Sequence, residues 1–279
     1  MTDNRKMPVI STSFNRYLRA VSVALMLCGC ANAQLPTLSE ADYLWLGEQI
    51  YSNECNSRFE CLTSWNKGED FPSLGIGHFI WFQAGQEVPF EETFPQLLQA
   101  LRTQAVALPS WIENLESFDS PWPDRTSFIA DLESERMHEL RAFLFESRHQ
   151  QSEFIAQRLA TTLPSLLSGV SASEGERIKK NFFTIANTSA PYGLYALIDY
   201  VHFKGSGVNP KERYSGEGWG LQQVLLEMGD KSDLGSFVSA AEVVLARRVE
   251  NAPAERNEMR WLAGWKNRLK TYLPSLNSH

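Results

Sequence analysis

The residues best placed to do chemistry lie between Glu54 and Trp81, in the stretch NECNSRFECLTSWNKGEDFPSLGIGHFIW. Ser39 with Asp42 three positions on forms a capping-box pattern that opens a helix, and Leu46 and Ile50 then recur at i+4. Glu54 is the next member of that series, which puts it at the helix C-terminus on the buried face. There, apolar surroundings and the negative end of the helix dipole favour a protonated carboxyl over a charged one. A protonated carboxylic acid is what glycosidic-bond cleavage needs, because the leaving oxygen must receive a proton as the bond breaks. The plain alternative is a helix-end glutamate in solvent.

The elements that would position this acid follow at once. Leu62 to Phe82 carries Gly68, Pro72, Gly75 and Gly77 among β-branched and aromatic residues, which predicts a short hairpin or irregular β segment, the only convincing one in the chain. Cys55 and Cys61, with five residues between them, could close a small loop beside Glu54 or stand as two unpaired buried thiols. The rest reads as helices punctuated by Pro and Gly, over about 95–107, 125–146, 149–168, 173–187, 191–203, 219–229, 235–250 and 255–272. The expected fold class is mainly α (α+β), with a small β-hairpin near the N-terminus.

In this arrangement the sequence resembles the phage-type lysozymes over about residues 39–81. The motif is Ser73-Leu74-Gly75-Ile76-Gly77-His78, which stands 19 to 24 residues after Glu54. The resemblance implies a lysozyme-like domain in which Glu54 is the acid and Ser73 takes the place of a threonine that helps position water or substrate. Gly75, Gly77 and His78 match the family directly. The family also carries an aspartate on the hairpin, and Asn66 stands nearest its place here; Glu69 and Asp70 are neighbouring carboxylates that could substitute. With a second carboxylate the implied reaction is hydrolysis by a muramidase. With a single acid it is lytic transglycosylation, in which the sugar's own N-acetyl group or hydroxyl closes the product. A catalytically silent, peptidoglycan-binding module of the same fold is the third reading.

A second cluster spans Tyr195 to Gln223. Asp199, Tyr200, Lys204, Tyr214, Glu217, Trp219 and Gln222, in a glycine-rich loop between helices, fit a saccharide groove, since aromatic faces stack on sugar rings while acids and amides read hydroxyls. Trp65, Trp81 and His78 are further substrate-binding candidates. The alternative for each tryptophan is core packing, which is the preferred reading for Trp261 and Trp265 on a regular helix face. His78 has no His, Cys or carboxylate at metal-ligand spacing, and the remaining histidines, His138, His149, His202 and His279, form no HExxH pattern, so no metal is expected. No cofactor is expected either, as there is no GxxxxGK[ST], no GxGxxG after a strand and no GxSxG.

The N-terminus and the charge set the compartment and partners. Ala20 to Cys30 reads AVSVALMLCGC after a stretch containing Arg16 and Arg19, the pattern of an export signal too short to span a bilayer. Cleavage before Cys30, whose Leu27-Cys28-Gly29-Cys30 setting resembles a lipobox, would leave a lipidated cysteine. Cleavage after Ala33 would leave a soluble chain. Residues 1–33 are thus assigned to export and 34–279 to a single domain, exported to the periplasm or anchored at the outer membrane as a lipoprotein. Formal charge is −7, and removing the four basic residues and Asp3 of the first 30 positions makes the remainder more acidic still. Such a body is a poor partner for phosphate backbones, which excludes nucleic acid. Peptidoglycan or a related N-acetylated polysaccharide is the expected partner.

Overall fold

In a computed structural model of the chain, residues 34–86 and 91–274 are described. The helix α1 (Glu40–Cys55) is followed by a three-stranded antiparallel sheet of very short strands, β1 (Thr63–Ser64), β2 (Ser73–Leu74) and β3 (Phe79–Ile80). Seven helices come next: α2 (Phe94–Thr103), α3 (Ser110–Glu113), α4 (Arg125–Asp131), α5 (Glu135–Glu146), α6 (Arg148–Leu166), α7 (Ala172–Ala186) and α8 (Tyr192–Lys204). A two-stranded hairpin of β4 (Arg213–Tyr214) and β5 (Glu217–Gly218) leads into α9 (Leu221–Glu227), α10 (Leu234–Asn251) and α11 (Met259–Lys270). The chain is therefore mainly helical with small antiparallel sheets. The described residues belong to one compact unit. Among them no helix is long and apolar enough to cross a membrane. The expected export segment, with Cys30, lies outside the described residues.

Helix α1 starts where Ser39 and Asp42 place it. Ser39 Oγ accepts the Asp42 N–H at 3.2 Å and Asp42 Oδ2 accepts the Ser39 N–H at 3.1 Å, so two otherwise orphaned donors are satisfied. Leu46 and Ile50 are buried against α6. Gly47 makes that approach possible, since a Cβ there would lie 2.8 Å from the Arg148 carbonyl oxygen. Helix α8 is buried along most of its length, from Gly193 to Tyr200, as its almost unbroken apolar sequence requires. It packs against α6, α7 and α9, and its Tyr195 meets Tyr272, two residues beyond α11, edge-on.

Three expectations need correction. The single helix over 125–146 is two, because Ser134 caps a new start by accepting the Met137 N–H, while Asp131 accepts from Trp122 Nε1 and Arg136 Nε in the break. The β segment at residues 62–82 is not alone: β4 and β5 pair through a two-residue turn whose Ser215 and Gly216 both have positive φ, 51° and 84°. Finally, Trp261 is 38% exposed rather than core, and Trp265 is only partly buried. Leu269 of α11 and Tyr272 just beyond it are the residues that bury here.

Candidate functional site

Glu54 sits in the last turn of α1 and is held from both sides. On the chain side Cys55 and Cys61 form a disulfide, and Cys61 Sγ lies 3.7 Å from the Glu54 carbonyl oxygen. On the other side α11 reaches across the fold: Arg268 Nη2 donates to Glu54 Oε1 at 2.6 Å. The surroundings of this acid are thus not the apolar ones its helix position suggests. Oε1 is committed to a guanidinium, and Oε2 makes no hydrogen bond to any described residue.

Arg268 is itself fixed by Asp199 of α8. Nε donates to Asp199 Oδ2 at 2.9 Å and Nη2 to Oδ1 at 2.8 Å, the fork geometry that suits guanidinium and carboxylate. Asp199 also accepts from Tyr272 at 2.6 Å and from Asn53 Nδ2 at 2.9 Å, and Asn53 donates to the Tyr195 hydroxyl at 2.6 Å. Burial works against the Arg268 charge, but Asp199 and then Glu54 outweigh it and raise its pKa. Burial, with Asp199 second, pushes Tyr195 up to about 12, and the same two causes raise Tyr272. Both phenols therefore stay neutral donors around a charged centre. Asp199 is 2% exposed, so it orients Arg268 instead of reading substrate hydroxyls, a correction to its expected role.

Glu54 opens into a cavity of about 210 Å³ lined with it by Gly77, His78 and His202. The Gly75–His78 loop between β2 and β3 supplies two of these residues, and its shape follows from the sequence. Gly75 has φ +69°, and a Cβ there would lie 2.4 Å from Gln151 Oε1. That same oxygen accepts the Ile76 N–H at 3.0 Å, while Gln151 Nε2 donates to the Leu144 carbonyl and Ser147 Oγ. A fully buried amide on α6 thereby clamps the loop. His78 is in the left-handed region at φ +49°, which turns its ring toward Cys61, with Nε2 4.0 Å from Sγ. His202 comes from α8, three residues after Asp199, and is exposed at the cleft. Partial desolvation in the cleft lowers its pKa, opposed by the nearby Glu54 and Asp199 carboxylates.

Several expected site residues lie elsewhere. Ser73 is buried in the middle strand, paired with Ser64 and Ile80, and does not line the Glu54 cavity. Asn66, Glu69 and Asp70 occupy the β1–β2 turn: Asn66 Nδ2 donates to Glu69 Oε2, and the Asp70 carbonyl accepts from Gln86. None of the three lines that cavity. Trp65 is 5% exposed, donates to the Glu69 carbonyl and packs edge-on against Phe128, so it is core; Trp81 is fully buried.

In the second cluster Tyr200, Trp219 and Gln222 pack into the fold, while Glu217 is exposed. Trp219 is buried under Arg248 and against Tyr214, whose hydroxyl donates to Glu258. Gln222 is buried and donates to the Leu166 and Ser168 carbonyls at the end of α6, and Glu217 faces Arg247 across 3.9 Å. Tyr200 donates to the Trp219 carbonyl. Gly220 is required because a Cβ there would lie 2.0 Å from the Gly207 nitrogen. Lys204 lies over the Trp265 ring at 3.3 Å. Desolvation, with Arg248 second, lowers its pKa to about 6, while the ring face acts in the opposite direction.

Cys55, Cys61 and His78 form a cluster with metal-ligand proximity, but the two sulfurs are bonded to each other and offer no thiolate. Sequence reasoning missed Arg268, His202, Asn53 and Tyr272. The i+3 step from Asp199 to His202 along α8 is the one local signal that could have drawn attention to the histidine. No protein-family model, curated protein or solved structure matches this chain.

Proposed function

We propose that the chain is a glycan-cleaving enzyme of the cell envelope, acting on peptidoglycan or a related N-acetylated polysaccharide with Glu54 as its general acid. The observation that carries this reading is the tethering of Glu54 at the mouth of a cavity. One carboxylate oxygen is bound by Arg268, which orients the side chain, and the other, with no hydrogen bond to any described residue, is the one that can pass a proton to the glycosidic oxygen as its bond to the sugar breaks. The lysozyme-like pattern of Glu54 followed by Gly75, Gly77 and His78 supports the same assignment, and the export signal and the Cys55–Cys61 disulfide fit an oxidising compartment beside the wall polymer.

A second reading, lytic transglycosylation, is favoured by the lining of the Glu54 cavity, which contains two imidazoles and no second carboxylate among the described residues. In that reaction Glu54 first gives its proton to the leaving oxygen. As carboxylate it then takes the proton of the sugar's 6-hydroxyl while that oxygen bonds to C1, forming a 1,6-anhydro product without water. Digestion of purified sacculi with mass analysis of the soluble fragments tests both: reducing ends support hydrolysis, 1,6-anhydro ends support transglycosylation. Sacculi that are bound but left intact would make the chain a binding module instead.

A further inference from the structure

Hydrolysis at a glycosidic carbon needs a partner for the acid, because the attacking water must lose a proton as its oxygen bonds to the sugar. The walls of the Glu54 cavity narrow the choice. Glu69 and Asp70 do not line it, and Asp199 is buried and committed to Arg268, Tyr272 and Asn53. Among the described residues that line it, the groups left to take a proton are the imidazoles of His78 and His202.

The two imidazoles are not equivalent. His78 turns Nε2 toward the Cys55–Cys61 disulfide, 4.0 Å from Cys61 Sγ, so that edge of its ring faces sulfur. His202 is exposed at the cleft, and neither of its ring nitrogens bonds to a described residue. It stands one turn after Asp199 on α8, while Glu54 lies in the last turn of α1. Arg268, bonded to both Glu54 and Asp199, fixes those two helices to each other. Acid and imidazole are thus both carried on packed helices, and the cavity they share, about 210 Å³, has room for a water, whose share of the liquid is about 30 Å³. An imidazole is largely unprotonated above about pH 7 at its ordinary pKa of about 6.5, and the downward shift of His202 acts in the same direction. When Glu54 gives up its proton it becomes a carboxylate, and that new charge, with Asp199, favours a proton on His202.

We infer that His202 is the general base of the reaction, taking a proton from the water that attacks the sugar carbon while Glu54 gives one to the leaving oxygen. The inference rests on the glycan-cleaving reading. In this step the water oxygen bonds to C1 as the bond from C1 to the bridging oxygen breaks. The Glu54 proton goes to that oxygen, and a proton of the water goes to a free ring nitrogen of His202. The imidazolium then loses its proton to solvent, from which the Glu54 carboxylate takes one back. The products carry reducing ends, so a cavity without a second carboxylate serves hydrolysis as well.

The test is digestion of purified sacculi near neutral pH by the unsubstituted protein, His202→Ala and His202→Gln, with and without added imidazole, the fragment ends being read by mass analysis. Circular dichroism checks folding, and His202→Gln carries the test on turnover alone should His202→Ala fail to fold. The unsubstituted protein should release reducing ends. Either variant should lose about a hundredfold in rate, the scale of a missing general base, while still sedimenting with sacculi, and free imidazole should restore about tenfold to His202→Ala. A histidine that merely packs would not be replaced by imidazole in solution. Full turnover in a folded His202 variant, a loss in His202→Ala that imidazole leaves unchanged, or 1,6-anhydro ends from the unsubstituted protein would overturn the inference, and each leaves Glu54 as the acid. Failure of the parent reading looks different: sacculi left intact by the unsubstituted protein, or cleaved equally by the Glu54→Gln chain, would remove both.

Discussion

Arg268 Nη2 lies 2.6 Å from Glu54 Oε1 and 2.8 Å from Asp199 Oδ1, so one guanidinium on the last helix ties together the end of the first helix and the middle of the buried α8. The three residues form a small charged centre inside the fold. Breaking it from one side leaves the buried Asp199 without its cation, which in buried pairs costs about 3–5 kcal/mol. Arg268→Met should therefore lower the denaturant midpoint strongly. The double variant Arg268→Met with Asp199→Asn should recover part of that loss, because the stranded charge is gone. Urea unfolding of the unsubstituted protein, the two single variants Arg268→Met and Asp199→Asn, and the double variant reads the coupling directly, and additive losses would contradict it.

Reduction of Cys55–Cys61 frees the loop that backs Glu54. The expected loss is about 2 kcal/mol, at the low end for disulfides because the closed loop is short. A dithiothreitol-dependent drop in melting temperature checks this, and the Cys55→Ser/Cys61→Ser chain should show the reduced value with no further response to the reductant.

Gly75→Ala should cost about 1–3 kcal/mol, since its φ of +69° disfavours any L side chain and the new methyl would meet Gln151 Oε1, the acceptor that clamps the loop. The damage extends to His78 and the Glu54 cavity. Substrate turnover should thus fall further than that of Gly85→Ala, at a turn glycine of similar φ, +73°, with open space around it.

Acid stability has a specific source in Glu258. Burial alone would raise its pKa, but hydrogen bonds from Arg248, Arg256 and Tyr214 outweigh it and bring the carboxyl down to about 2. A carboxyl lowered on folding contributes stability above its unfolded pKa of about 4.5, and that contribution is lost as pH falls from there toward 2. Glu258→Gln should remove about 2 kcal/mol at pH 7, less than the whole shift implies because Arg256 is half open to water. It should also flatten the stability profile between pH 5 and about 2. An unchanged slope by pH-dependent urea unfolding would contradict the assignment.

The first helix and the sheet were legible because their signals are local. A capping box at Ser39, an i+4 apolar row to Glu54 and glycines at 75 and 77 each constrain the backbone within a few residues, and the structure has α1 and a clamped β2–β3 loop where they point. Ser134 and the Ser215-Gly216 pair were equally local and readable, as a cap inside a long apolar pattern and as a positive-φ hairpin turn. What sequence could not supply is the pairing of distant charges. Arg268 stands 214 positions from Glu54, and nothing in its own helix distinguishes it from Arg260 or Lys270. The aromatic and amide residues from Tyr214 to Gln222 misled for a related reason. A groove and a tightly packed loop use the same residue types, and only burial, with Trp219 at 6% and Gln222 at 4%, separates them.

The central claim is that Glu54 is the acid, and digestion of purified sacculi by the Glu54→Gln chain tests it most directly. The exchange keeps the shape and an acceptor oxygen for Arg268, so the protein should fold, while its amide has no proton to give to a glycosidic oxygen. The account predicts release of soluble glycan fragments by the unsubstituted protein and a loss of at least a hundredfold in the variant, the scale of a missing general acid. Equal release of fragments by a folded Glu54→Gln protein would contradict it.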